Sequence, residues 1–146
     1  MTADLVAFLN ARLDERQAIA QAVNNPSPWR TAYLDEDGDP YEMELVYDAD
    51  NNPVLFNESR YQDFELAAHI AANDPAHVLA DVQAKRAILA EHEHRAKLSA
   101  EGYYDDHAEL VDLDWLVRLL VQPFADHPDF RSEWRVSPYT PGVHPC

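Results

Sequence analysis

Apolar positions along this chain change period twice. Over residues 3–24, Leu5, Phe8, Leu9, Leu13, Ile19, Ala20 and Val23 recur at helical spacing. They predict an amphipathic helix, ended by Asn24-Asn25-Pro26-Ser27-Pro28. Arg12 and Arg16 stand in the middle of that stripe, where their stems can cover apolar surface while the guanidinium groups reach acids.

Residues 29–57 change character. Trp29–Leu34, Tyr41–Tyr47 and Pro53–Phe56 read as three short strands. The runs between them, Asp35-Glu-Asp-Gly-Asp-Pro40 and Asp48-Ala-Asp-Asn-Asn-Pro53, are rich in turn formers and short enough for an antiparallel meander. The middle strand puts Tyr41, Met43, Leu45 and Tyr47 on one face and Glu42, Glu44 and Val46 on the other. The first face is expected to pack and the second to be largely wet.

Helical spacing then returns. Ser59-Arg-Tyr-Gln62 has capping-box spacing and predicts a short helix to about Ala72. Asp74-Pro75 fits an N-cap followed by proline at the first helical position. The helix it opens is expected to reach about Leu98, roughly 35 Å at 1.5 Å per residue. After a loop over 99–107, Asp106-His-Ala-Glu109 opens a helix over 110–121 that is apolar on most sides. Such a helix is central or buries its second face on another chain, here as a homo-oligomer contact. Pro123 stops or kinks it, and His127–Trp134 reads as a last short turn or helix.

The elements define an α+β fold: an N-terminal helix, a small antiparallel three-stranded meander, then a mostly helical C-terminal half. Residues 1–136 are expected to form a single globular domain and 137–146 an extended proline-rich tail.

Charge narrows the partners. The 146 residues carry 11 Lys and Arg against 27 Asp and Glu, a formal charge of −16. That balance opposes direct nucleic-acid binding and adhesion to anionic membranes. It suits a basic protein partner, and it is also the balance of a protein that mimics nucleic acid. The single cysteine, Cys146, leaves no intramolecular disulfide and no cysteine-rich zinc site. The N-terminus has no signal-peptide pattern and no 18-residue apolar run occurs, so a cytoplasmic protein without a membrane span is expected.

Three sets of residues could carry chemistry. Lys85 and His92 lie within about 40° of the centre of the Val78/Val82/Leu89 stripe at 100° per residue. With Arg12 and Arg16 they could bind an anion or position a proton; the structural alternative is that the cations snorkel or pair with acids. His69, Asp74 and His77 are compatible metal ligands, and His69 and His77 could converge across the helix break. His92 and His94 cannot share one ion on a helix, because their rings point roughly 200° apart at 100° per residue. The acidic turns offer oxygen ligands at alternating positions, as calcium loops do, but hairpin chemistry explains both and no glutamate completes an EF-hand. No nucleophile elbow, phosphate loop or cofactor motif is present.

The block His69-Ile-Ala-Ala-Asn-Asp-Pro-Ala-His-Val-Leu-Ala-Asp-Val-Gln-Ala-Lys-Arg-Ala-Ile-Leu89 resembles the central block of a family of unknown function from actinobacteria and their phages. Asp4–Glu15 and Pro123–Trp134 resemble its two ends, in the same order. Many members carry cysteines after the long helix. This chain has Glu101-Gly-Tyr-Tyr-Asp-Asp-His107 there, so a metal function resting on those cysteines does not carry over.

The expected function is an acidic, cytoplasmic protein-interaction or regulatory module, phage-associated if the resemblance extends to setting. One alternative is a small enzyme or ligand- or metal-binding domain using His69, Lys85 and His92. The other is a nucleic-acid-mimicking inhibitor.

Overall fold

A computed structural model of the chain describes residues 2–33, 44–55, 64–102 and 115–136. The elements run α1 (Thr2–Ala22), β1 (Arg30–Tyr33), β2 (Glu44–Tyr47), β3 (Pro53–Leu55), α2 (Phe64–Ala72) and α3 (Pro75–Ala100). Residues 115–121 are helical and are called α4; short 3-10 turns follow at Gln122–Phe124 and Ser132–Trp134. This is the expected α+β order of helix, antiparallel meander and helices. The capping boxes proposed at 59–62 and 106–109, the first acidic turn and the tail 137–146 lie outside the described residues.

The chain divides into two compact units, residues 15–82 and residues 1–14 with 83–146. In the 15–82 unit the strands pair antiparallel in the order β1-β2-β3. Arg30, Thr31, Ala32 and Tyr33 face Tyr47, Val46, Leu45 and Glu44 in register. The register shifts between Val46 and Tyr47 where β2 meets β3. Helix α2 packs against both β1 and β2, with Ala67 buried.

The sheet corrects the expected facing. Val46, assigned with Glu42 and Glu44 to the wet side, is fully buried, and Tyr47 is only half-buried. Burial in so short a sheet depends on what covers each face, and neighbouring glutamates disguise an apolar position between them.

The start of α3 is fixed by Asp74 just before it and by Ser27 from far along the chain. Asp74 Oδ1 accepts from the His77 backbone N–H at 2.8 Å, the N-cap bond expected from Asp74-Pro75. Asp74 Oδ2 accepts from the Trp29 N–H at 3.1 Å, and Ser27 Oγ accepts from the Ala76 N–H at 3.0 Å. The carboxylate thus caps a helix and pins the entry to β1 with one group. Asp74→Ala is expected to cost about 1–2 kcal/mol, the range of a lost cap. Asp74→Asn keeps one acceptor but turns an amide N–H toward the other backbone donor, so it should recover only part of the loss; chemical denaturation of the three proteins reads the difference. At the other end, Gly102 at φ +80 receives the chain leaving α3 and donates to Ser99 O at 3.1 Å.

In the other unit, Leu5, Phe8, Leu9 and Leu13 of α1, Leu89 of α3, Val117 and Val121 of α4 and Trp134 are buried. Asp14 and Arg86 form an ion pair at 2.5 Å. The predicted α1 stripe holds here. Ile19, placed on the same stripe, is 70% exposed. A helical stripe gives a direction only, and burial requires an element opposite it.

Candidate functional site

Of the side chains expected to form one polar site, Arg12 and His92 are buried, Lys85 is half-buried and Arg16 is exposed. Arg12 is buried and its guanidinium donates to His127 Nε2 while lying 5.3 Å from the centre of the Phe8 ring. Arg16 is exposed and pairs with Asp81 at 3.4 Å in the 15–82 unit. Lys85 is half-buried on α3 and takes part in an interaction. His92 is 6% exposed and reaches an open groove of about 490 Å³ whose other walls are Ala3, Val6, Ala7, Asn10, Glu93 and Ala96.

As the helical stripes predict, α3 carries His92 inward and α1 carries Arg12 inward. What the stripe could not show is where Arg12 goes. Its partner lies 115 residues away in the chain, in a segment that reads only as a short turn or helix.

That segment builds an aromatic cluster. The Phe8 ring stands 5.1 Å from Trp134, 5.7 Å from His127, 6.0 Å from Phe130 and 6.5 Å from Phe124. Most of these pairs are edge-to-face, the geometry favoured by ring quadrupoles. Arg131 lies 5.2 Å from the Trp134 ring and Arg135 5.7 Å from the Phe130 ring. Gln122 clasps the segment: its Nε2 donates to Arg118 O at 2.7 Å and Trp134 O at 2.9 Å, and its Oε1 accepts from Val136 N–H at 3.2 Å. Nothing in the local sequence distinguishes Gln122 from a solvated glutamine.

The candidate metal ligands are placed as follows. His69 and His77 are exposed, and Asp74 commits both carboxylate oxygens to backbone donors. Among the described residues no group of three or more His, Cys, Asp or Glu side chains is arranged to hold a metal ion.

The second acidic turn is hairpin chemistry. Asp48 is buried, and its Oδ1 accepts from the N–H groups of Asp50 at 2.9 Å and Asn52 at 2.8 Å. Its Oδ2 accepts from Asn25 Nδ2 at 3.0 Å. Asn51 takes the left-handed conformation at φ 64 that such a turn requires and asparagine tolerates.

Burial alone would raise the Asp48 pKa. The hydrogen bonds from Asn52, Asn25 and Asp50 together outweigh it and hold the carboxyl below its ordinary 3.8. A depressed carboxyl stabilises the fold above its unfolded pKa, and that contribution is lost as pH falls through the lower folded value. Wild type should therefore lose stability as pH drops below about 4. Asp48→Asn should lose that part of the acid dependence and start several degrees lower in Tm at neutral pH. Thermal scans across an acid pH series check both.

These features define a small α+β protein of helix, meander and helices, in which the buried Asp48, Asp74 and Arg12 serve a turn, a helix cap and an aromatic cluster. The chain belongs to DUF6221, a family of unknown function, whose model matches residues 2–136. No curated protein and no solved structure matches it. Among the described residues no helix is long and apolar enough to cross a membrane.

Proposed function

We propose that this protein is a cytoplasmic protein-interaction or regulatory module whose partner is basic, and that residues 15–82 carry the partner surface. The observation behind this reading is the segregation of charge between the two units. Residues 15–82 hold 14 Asp and Glu against 3 Arg, a formal charge of −11; the remaining residues hold 13 against 8, a formal charge of −5.

Asp48 and Asp74 are buried and spent on hydrogen bonds, and Arg16 is held by Asp81. The remaining acids of the unit far outnumber its cations. Such a field attracts cationic partners, speeds their encounter and rejects polyanions.

Calorimetric titration of the full chain with heptalysine and with hexaglutamate tests the reading. Heptalysine should bind, with affinity falling as salt rises, and hexaglutamate should not. Absence of any heptalysine binding at low salt removes the proposal.

A further inference from the structure

We propose that the outer edge of β1 binds an extended, lysine- or arginine-rich segment of a partner protein as a fourth strand. This rests on the reading of residues 15–82 as the surface for a basic partner, and it adds where that partner binds and in what conformation.

The order β1-β2-β3 makes β1 and β3 the two edges of the sheet. An edge strand presents alternate backbone N–H and C=O groups to any incoming strand unless something blocks them. β3 is blocked by its own sequence. Pro53 opens it and has no N–H to donate, and its pairing with β2 is irregular.

β1 has neither device. Arg30-Thr-Ala-Tyr33 contains no proline or glycine and keeps an unbroken four-residue register with β2. A charged side chain can guard an edge, and Arg30 is the one charge in the strand. It does not stand guard: its guanidinium donates to Asn51 Oδ1 and lies 5.7 Å from the Tyr47 ring, so it is drawn back across the sheet. Among the described residues no strand pairs with the outer edge of β1.

Charge selects the occupant. The chain leaving β1 continues Leu34-Asp-Glu-Asp-Gly-Asp39, four acids within six residues. A strand with cations at alternating positions complements the −11 charge of the unit that carries β1. A second copy of this chain would bring a second unit of formal charge −11, and like charges oppose that pairing.

The test uses the full chain and three probes of equal charge: the peptide Lys-Val-Lys-Val-Lys-Val-Lys, the same peptide N-methylated at alternate residues, and a helix-forming Lys/Ala/Leu peptide. The first should bind, shift the amide resonances of residues 30–33 and slow their exchange. N-methylation leaves the charge but removes several backbone bonds, and should weaken binding at least about tenfold. Thr31→Pro should weaken the first peptide in the same way; because the N-methylated probe acts on the ligand, the result stands even if that variant fails to fold.

Equal binding of the methylated and unmethylated peptides, or shifts that avoid residues 30–33, overturns the edge site and leaves the basic-partner reading intact. Tighter binding of the helical peptide does the same. Intermolecular contacts between two β1 strands overturn it in favour of self-pairing. Failure of every cationic peptide to bind at low salt overturns both.

Discussion

Trp134→Ala is expected to destabilise the protein by about 3–5 kcal/mol, the usual cost of removing a buried aromatic ring. Trp134 is 2% exposed, and three groups pack on its ring: Phe8 at 5.1 Å, Phe130 at 5.8 Å and the Arg131 guanidinium at 5.2 Å. The loss of the ring therefore removes burial, two aromatic contacts and a cation–π contact at once. The segment around it is short; besides the bonds of Gln122 and the 3-10 turn, it is held by Arg118 donating to Glu133 O at 3.1 Å and by the Arg131–Asp4 ion pair at 2.8 Å, contacts near the surface that a missing ring would leave to hold it alone. Urea denaturation should show a lower midpoint, and loss of tryptophan-region near-UV ellipticity should be accompanied by protease sensitivity in residues 122–136. Trp134→Phe keeps most of the contacts and should recover more than half of the loss. A Trp134→Ala protein with unchanged midpoint would mean that the cluster contributes no packing energy.

Leu9→Ala should cost about 2–5 kcal/mol, whereas Ile19→Ala should stay within about 0.5 kcal/mol of wild type. Both residues lie on the stripe predicted for α1, and by helical spacing alone they deserve the same expectation. Leu9 has no exposed surface, so truncating it leaves a cavity in a packed interior. Ile19 is already in contact with water over most of its surface, so truncating it loses little burial. Paired denaturation curves of the two variants measure the difference. Similar losses at the two positions would show that Ile19 is covered in solution.

These contrasts mark how far the sequence could be read. Local signals were reliable. Asp74-Pro75 opens α3 with the expected cap, and the helix ends at Ala100, close to the expected Leu98. Three strands fall within the three predicted runs and pair as a meander. The signals that failed depend on what lies opposite a residue. Val46 and Ile19 exchanged the burial their patterns suggested, because periodicity specifies a face and not its cover.

The candidate site was legible only in part, for a related reason. Burial of His92 and Arg12 follows from helix geometry. The pairing of Arg12 with His127, the clasp at Gln122 and the second bond of Asp74 to Trp29 are contacts between distant parts of the chain. No spacing rule connects such positions. Charge segregation lay in the sequence, but it could be seen only once the unit boundaries were known.

Hydrogen–deuterium exchange of the full chain, with and without heptalysine at low salt, tests the central claim most directly, because it reads which part of the molecule meets a cation-rich partner. The account predicts added protection concentrated within residues 15–82. Protection centred on residues 115–136, or spread evenly along the chain, would contradict it.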